Sequence, residues 1–380
     1  MIYIFYILRP IIFPISSLFQ FKLKKNLIYI KNIWYCINLI DDKMIEDKIE
    51  IHIPTYNRAQ LLDNTLNSLL NSPFKDCKII IRDDASIDET PEICEKYSKL
   101  FKNVQIVRNR KNRGLNANTL RSYEEATLPY VWVLADNDFL NFDGCDDFIE
   151  AIESEKYAFI LCSSSWYAYK DNKNPTFETA RNIAEILELK SKSENYLENR
   201  AQDLVYMIEG YYFTITTFLP STVYKTSFID SASLKKCYDL VSLSLPHYAL
   251  LSKAINENSL IYKTKKDVVL LKENPDDWDI GNFSFITRRL SCAYLIEEKK
   301  FVKYALQLIN GRGLAYNLFS HIVVAKAINE EDFRTNVINL IATMYKLKGW
   351  FVGFLYHLLI LCSYIIPKPI CKYAYKKKIE

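Results

Sequence analysis

A chain of 380 residues with 49% hydrophobic and 25% charged residues has enough apolar material for one large or two medium cores, which excludes a disordered protein. A formal charge of +4, its basic residues dispersed except at the C-terminus, gives no electrostatic footprint for nucleic acid. Nine cysteines without a CxxC or metal-ligand spacing fit a reducing compartment, where most serve as small buried apolar residues.

Residues 1–43 are apolar and aromatic but interrupted by Pro10, Pro14 and a lysine-containing stretch. They offer no basic leader, no tidy cleavage site and no convincing membrane length. Met44 stands just before the first strand of a regular domain, so 1–43 is expected to be an upstream extension outside the fold.

From Ile49 the pattern alternates between strand and helix. IEIHI is expected as a strand that leaves through Pro54-Thr55-Tyr56-Asn57-Arg58. Leu61, Leu62, Leu66, Leu69 and Leu70 lie at helical spacing and predict a helix over Ala59–Asn71, ended by Pro73. CKIIIRDDAS reads as a second strand finishing in Asp83 and Asp84, with Ser86, Asp88 and Glu89 as cap chemistry for a helix through Leu100. VQIVRN is a third strand, and Gly114 in the following KNRGLNANTL permits a tight turn before a helix at Asn118–Ala126. The fourth strand, in YVWVLADNDFL, ends abruptly in Asp136, Asn137 and Asp138. Four such alternations imply a parallel sheet whose strands deliver polar residues to one rim, the usual place for a ligand crevice.

Along an extended segment Asp136 and Asp138 point the same way, and an oxygen-only pair suits Mg²⁺ or Mn²⁺ far better than zinc. A phosphate ligand would complete the coordination. Two acids after a strand are also compatible with a solvated turn or a helix cap.

In order and spacing, PTYNR, IRDDASIDET, RNRKNRGLNAN and VWVLADND resemble the motifs of family-2 glycosyltransferases. The resemblance is nearest to a bacterial branch of O-antigen and capsule enzymes, the abequosyltransferase-like proteins, and is strongest over Ile49–Asp147. It implies an α/β GT-A fold: a Rossmann-like, nucleotide-sugar-binding mixed sheet flanked by helices, spanning 44–283. It further implies a donor site of Pro54, Thr55, Tyr56 and Arg58 on the first loop, Asp83 or Asp84 on the second, and Asn112, Gly114, Asn118 and Arg121 over the sugar nucleotide. An aromatic wall and a carboxylate that accepts from a pyrimidine N–H make physical sense of the first two loops. Asp84 and Asn118 are each open to a plainer reading as helix caps, and Arg58 and Arg108 to one as solvated arginines. By the same resemblance Asp136 lies near the ribose with Asn137 beside it, and Asp138 is the more direct ligand of a Mn²⁺ or Mg²⁺ cofactor. Many relatives carry a third acid where this chain has Asn137.

Beyond the motifs, a helix is expected over Cys145–Ser154, then the strand YAFILCSSSWYAY. Lys170–Arg200 reads as a polar excursion with an amphipathic helix near Ile183–Leu189. Gly210–Tyr224 is strand-like, with Ser221 or Thr222 either lining the site or belonging to a core strand. About one hundred residues past the metal motif, where the resemblance implies a general base, the chain offers His247, at the start of a helix, and Asp239; His247 is favoured, and a histidine capping a helix or bonding a carbonyl is the plain alternative, with a metal-ligand role a further one. Residues 284–348 form a helical appendix, including RRLSCAYLIEEKKFVKYALQLI and IVVAKAI. Residues 349–380 combine the apolar GWFVGFLYHLLILCSYIIP with a basic tail, which fits an interfacial helix, a short span or a buried terminal helix.

The expected function is metal-dependent, inverting transfer from a nucleotide sugar, a UDP-sugar first, to a growing surface glycan or lipid-linked acceptor. The expected location is the cytoplasm at the inner face of the membrane, with peripheral contact through 349–380 and no nucleic-acid partner. A sugar nucleotidyltransferase would need a Gly-rich phosphate loop that PTYNR does not supply; a non-catalytic binding module would bind a donor without releasing product.

Overall fold

The computed structural model describes residues 45–137, 139–141, 145–168, 198–201, 219–239, 241, 247–273, 314–328 and 333–379. The 1–43 extension, Asp138, the amphipathic helix expected near Ile183–Leu189 and the helical run Arg288–Ile309 lie outside the described residues.

Short apolar runs form the first four strands: β1 (Ile49–Thr55), β2 (Lys78–Asp83), β3 (Val104–Arg108) and β4 (Tyr130–Val133). They pair in parallel in the order β3-β2-β1-β4, with Ile51 level with Ile79 on one side and Trp132 on the other. Helices α1 (Ala59–Leu70), α2 (Thr90–Ser98) and α3 (Leu115–Glu124) return the chain between them, so the carboxyl ends of all four strands share one rim. Helix α3 begins three residues before the expected Asn118, because Gly114 takes a positive φ of +86° and turns the chain into the helix there.

After β4 come β5 (Phe139–Leu140), α4 (Asp146–Glu153), β6 (Phe159–Ala168), β7 (Glu198–Arg200) and β8 (Thr222–Lys225). Helices α5 (Ser231–Asp239) and α6 (Tyr248–Glu257) precede the long β9 (Leu260–Glu273). Strand β8 pairs antiparallel to both β4 and β6, β9 runs parallel to β6, and β5 closes the far edge antiparallel to β9, while β7 also pairs β9. The sheet is therefore mixed. Ser221 and Thr222 are fully buried where the chain enters this central strand, which is the core-strand alternative.

One face of the sheet packs Ile49, Ile51, Ile53, Ile79 and Trp132 against α1, α2 and α4 through Leu66, Tyr97 and Phe148. The other packs Val131, Val133, Phe159 and Tyr224 against α3, α5 and α6 through Tyr123, Cys237 and Leu251. Strand β1 puts charge on that second face: Glu50 and His52, at alternating positions, are completely buried. Glu50 accepts the N–H groups of Thr127 and Leu128 and pairs with Lys78, while Arg82 reaches His52 and Glu125. Burial alone would raise the Glu50 carboxyl, but the hydrogen bonds from His52, Lys78 and the two backbone N–H groups overcome it and hold the group at about 2.

The C-terminal helices are α7 (Leu314–Ile328), α8 (Phe333–Ile365) and α9 (Lys368–Ile379). Helix α8 is two limbs joined at Gly349, whose φ of +75° is non-helical. Leu318, Ile322, Leu340, Met344 and Ile360 join the same core cluster as α3 and α6. Six of the described cysteines are buried and Cys362 is exposed.

Candidate functional site

The rim is assembled by hydrogen bonds between the loops that leave β1, β2 and β3. Asn57 and Ala85 adopt left-handed φ angles of +52° and +65°, a region that asparagine enters readily and that is a strained choice for Ala85. Those turns let the two loops interlock. Asn57 N–H donates to Ser86 Oγ at 2.9 Å, and its own side-chain oxygen accepts Ile87 N–H at 2.8 Å. Arg58 N–H donates to Thr90 Oγ1 and Ala59 N–H to Asp88, so Asp88 links the starts of α1 and α2.

At the centre of the rim Thr55 Oγ1 donates to Asp136 Oδ2 at 2.7 Å. Arg58 Nη1 lies 3.4 Å from Asp136 Oδ1. Asp136 is only 6% exposed, and burial pushes its carboxyl above the usual carboxylate range against the pull of Arg58 and Thr55. Pro54 is buried within β1, whereas Tyr56 projects at 39% exposure beside it. The first loop thus presents a half-exposed aromatic ring in the same short stretch as the residues that pair with Asp136, the polar-and-apolar mixture that holds a charged, ring-bearing ligand.

The adjacent acids divide their work. Asp84 spends both oxygens on the next loop: Oδ1 accepts from Asn109 Nδ2 at 2.7 Å and from Arg113 N–H, and Oδ2 accepts from Arg113 and Gly114 N–H at 3.0 and 2.9 Å. It caps neither α1 nor α2; it anchors the loop from Asn109 to Gly114. Asp83 receives Ser86 N–H at 2.9 Å on Oδ1, and Arg108 Nε lies 3.3 Å from its Oδ2. Arg108 Nη2 also donates to the Ser86 carbonyl, so this arginine is a fixed member of the rim.

Asn118 is buried inside α3, where Nδ2 donates to the Arg82 carbonyl and Oδ1 accepts from Asn109; it is a brace and not a helix cap. Exposed Asn112 accepts Gly114 N–H at 2.7 Å. Arg121 is not brought to the loop: its guanidinium pairs with Glu125 at the opposite end of α3. Asn109, which sequence reasoning passed over, proves central, since it joins Asp84 to Asn118; the available signal was an amide immediately after a parallel strand.

Asn137 is half-buried in the turn after Asp136. Asp136 and Asn137 supply hard oxygen donors, a set whose chemistry fits Mg²⁺ or Mn²⁺. Among the described residues no group of three His, Cys, Asp or Glu gathers into a metal centre. The two base candidates sit in different settings. His247, 2% exposed, stacks on Tyr248 at 5.4 Å between ring centroids and precedes α6. Asp239 ends α5 at the surface, paired with Lys235 at 3.4 Å. The chain just beyond Asp239 meets the loop end of α3, where Asn116 Nδ2 donates to the Val241 carbonyl at 2.6 Å.

Residues 50–216 match the model of Glycosyl transferase family 2. The chain is 27% identical over 247 residues to an abequosyltransferase of Salmonella typhimurium, covering 61% of this chain and 68% of that protein. It is also 32% identical over 94 residues to a Campylobacter jejuni GalNAc(5)-diNAcBac-PP-undecaprenol beta-1,3-glucosyltransferase, covering 24% of this chain and 30% of that one. The matches span less than a third of the first curated relatives' lengths. In three dimensions the chain is similar to residues 1–349 of S. aureus TarS in complex with UDP-GlcNAc, with a TM-score of 0.53 at 16% identity over 87% of this chain and 92% of that one. The mixed sheet with its flanking helices is therefore the GT-A fold.

Proposed function

We propose that this chain is a glycosyltransferase that moves a sugar from a nucleotide donor, a UDP-sugar, to a growing surface glycan or lipid-linked acceptor, with inversion at the anomeric carbon. The observation that carries the reading is the rim itself. The stretch matching the family-2 model contains the loops that gather Thr55, Tyr56, Arg58, Asp83 and Asp136 at one edge of a GT-A sheet.

In this reading Tyr56 and the half-buried rim wall the nucleoside, with Asp83 accepting a pyrimidine N–H. Arg58 and Arg108 face the diphosphate. The loop of Asn112 and Gly114, fixed from below by Asp84, Asn109 and Asn118, covers the donor. Asp136 meets the ribose and, with Asp138, would hold a Mn²⁺ or Mg²⁺ ion. A bound Mn²⁺ or Mg²⁺ supplies charge neutralisation of the departing diphosphate. His247 or Asp239 takes the acceptor hydroxyl proton as that oxygen attacks, and the rim holds the two reactants aligned. A membrane-linked glycan acceptor would have the protein act in the cytoplasm at the inner face of the membrane.

Titration calorimetry with UDP, GDP, CDP and dTDP, each with Mn²⁺ and with chelator, tests the site. The expected result is metal-dependent binding of one nucleotide, UDP, weakened at least tenfold in Arg58→Ala. Equal, metal-independent binding of all four nucleotides would point away from a nucleotide-sugar site. Tight binding without product in the presence of acceptor would favour the binding-module alternative.

A further inference from the structure

The second limb of α8, residues 350–365, carries no charged side chain. Trp350, Phe354, Leu358, Leu361 and Ile365 fall on one stripe of it and are between 39% and 76% exposed, with Phe351 beside them at 67%. Such a contiguous apolar face is far more than the scattered exposed hydrophobics of an ordinary surface. A second stripe, roughly a quarter-turn round the helix, is packed along its whole length. Gly353 lies against Tyr345 so closely that a Cβ there would meet the Tyr345 Cα at 2.7 Å. His357 Nδ1 and the Tyr345 hydroxyl are 3.0 Å apart, Ile360 and Ser363 are fully buried, and the Tyr364 ring stacks on Phe333 while its carbonyl accepts from Lys326. One stripe of this limb is thus committed to protein from end to end, and the other is apolar and open.

Charge says what covers it. Residues 333–379 contain eight Lys and Arg and no Asp or Glu, although the whole chain nets only +4, so the rest of the protein is net negative. Exposed Lys346 and Lys348 stand just before the apolar limb, and Lys368, Lys372 and Lys376 follow it on α9, where Ile370 and Tyr373 are 56% and 63% exposed. A basic, acid-free element around an apolar stripe complements a surface that is greasy within and anionic at its border. An acid-free basic face is a poor match to a second copy of itself, which would set lysines against lysines.

We infer that the second limb of α8, with α9, is a docking surface for an anionic lipid bilayer, lying in the plane of the interface with Trp350, Phe354 and Leu358 sunk into the acyl boundary and the α9 lysines on the headgroups. By length and composition Lys348–Ile365 could also cross a membrane; the stripe from Gly353 to Tyr364, packed on the first limb and α7, favours the in-plane course. The inference does not depend on the chemistry at the rim.

The test is co-sedimentation of the purified full chain with phosphatidylcholine vesicles, with and without phosphatidylglycerol. Binding is expected to require the anionic lipid and to fall in high salt. Lys372→Gln with Lys376→Gln is expected to weaken it about thirtyfold, from roughly fivefold per lysine, and Trp350→Ser with Phe354→Ser at least tenfold. Brominated acyl chains are expected to quench emission that is lost in Trp350→Phe. Because these side chains are exposed, circular dichroism and the thermal midpoint of each variant are expected to match the parent. Equal binding to neutral vesicles, no vesicle binding, or retention through alkaline carbonate as a spanning protein would each overturn the proposal. So would a solution dimer that the serine variants break in a protein indifferent to vesicles.

Discussion

Thr55 and Asp136 meet across 2.7 Å, hydroxyl to carboxylate, where β1 and the turn after β4 come to the same rim. That bond joins two motifs 81 residues apart. It gives a donor that favours the charged form to a carboxyl that burial pushes upward.

Thr55→Val keeps the shape and removes the donor. Turnover is expected to fall at least tenfold and stability by about 1–2 kcal/mol, since a buried acceptor loses its partner. Thr55→Ser is expected to restore both. Steady-state kinetics and thermal unfolding on the three proteins check this.

Asp84 is the post on which the next loop hangs, through Asn109, Arg113 and Gly114. Asp84→Ala is expected to release that loop. Trypsin should then cut faster at the exposed Arg110, Lys111 and Arg113, and stability should drop by roughly 1–3 kcal/mol. An unchanged cleavage rate would show that the loop is held by something else.

Glu50 ties stability to acid pH. Its carboxyl lies at about 2 in the folded protein against 4.5 in the reference state, so the unfolded chain binds the proton more readily. Its stabilisation is fully present above about 4.5 and is lost as pH falls toward 2, on the order of 2–3 kcal/mol. Burial lowers the His52 imidazole, which works in the same direction at milder acidity. Unfolding curves from pH 7 to pH 3 are expected to flatten in Glu50→Gln, which will also be less stable at pH 7.

At Gly353 the two limbs of α8 approach closely. Gly353→Ala places a methyl group 2.7 Å from the Tyr345 backbone, and a loss of about 1–3 kcal/mol is expected in thermal unfolding, with nucleotide affinity unchanged.

The strands and helices of the first half were legible because their periodicity is strong and their ends are marked by Pro54, Asp84 and Gly114. The antiparallel half of the sheet was not: β8 enters beside β4 from a segment 92 residues later, and no local pattern encodes such pairing. At the site, the residue types that crowd the rim could be read, but the division of labour between Asp83 and Asp84 could not. Two neighbouring carboxylates look alike in sequence, and only the loop from Asn109 to Gly114 decides which one is consumed by backbone N–H groups. The family resemblance implies Arg121 over the donor, whereas its guanidinium pairs with Glu125 one turn later on the same helix. In the C-terminal region composition leaves three courses open for residues 349–380; what no local pattern encodes is that Gly353 and Ile360 pack against the helices beside them.

The most direct test of the central claim is release of nucleoside diphosphate from a panel of UDP-, GDP-, CDP- and dTDP-sugars, with Mn²⁺ and with chelator, by the parent protein and Asp136→Ala. Metal-dependent release from a single donor class, UDP-sugars, that disappears in the variant is the result the account predicts. Absence of both release and binding for every donor, or release unaffected by Asp136→Ala, would contradict it.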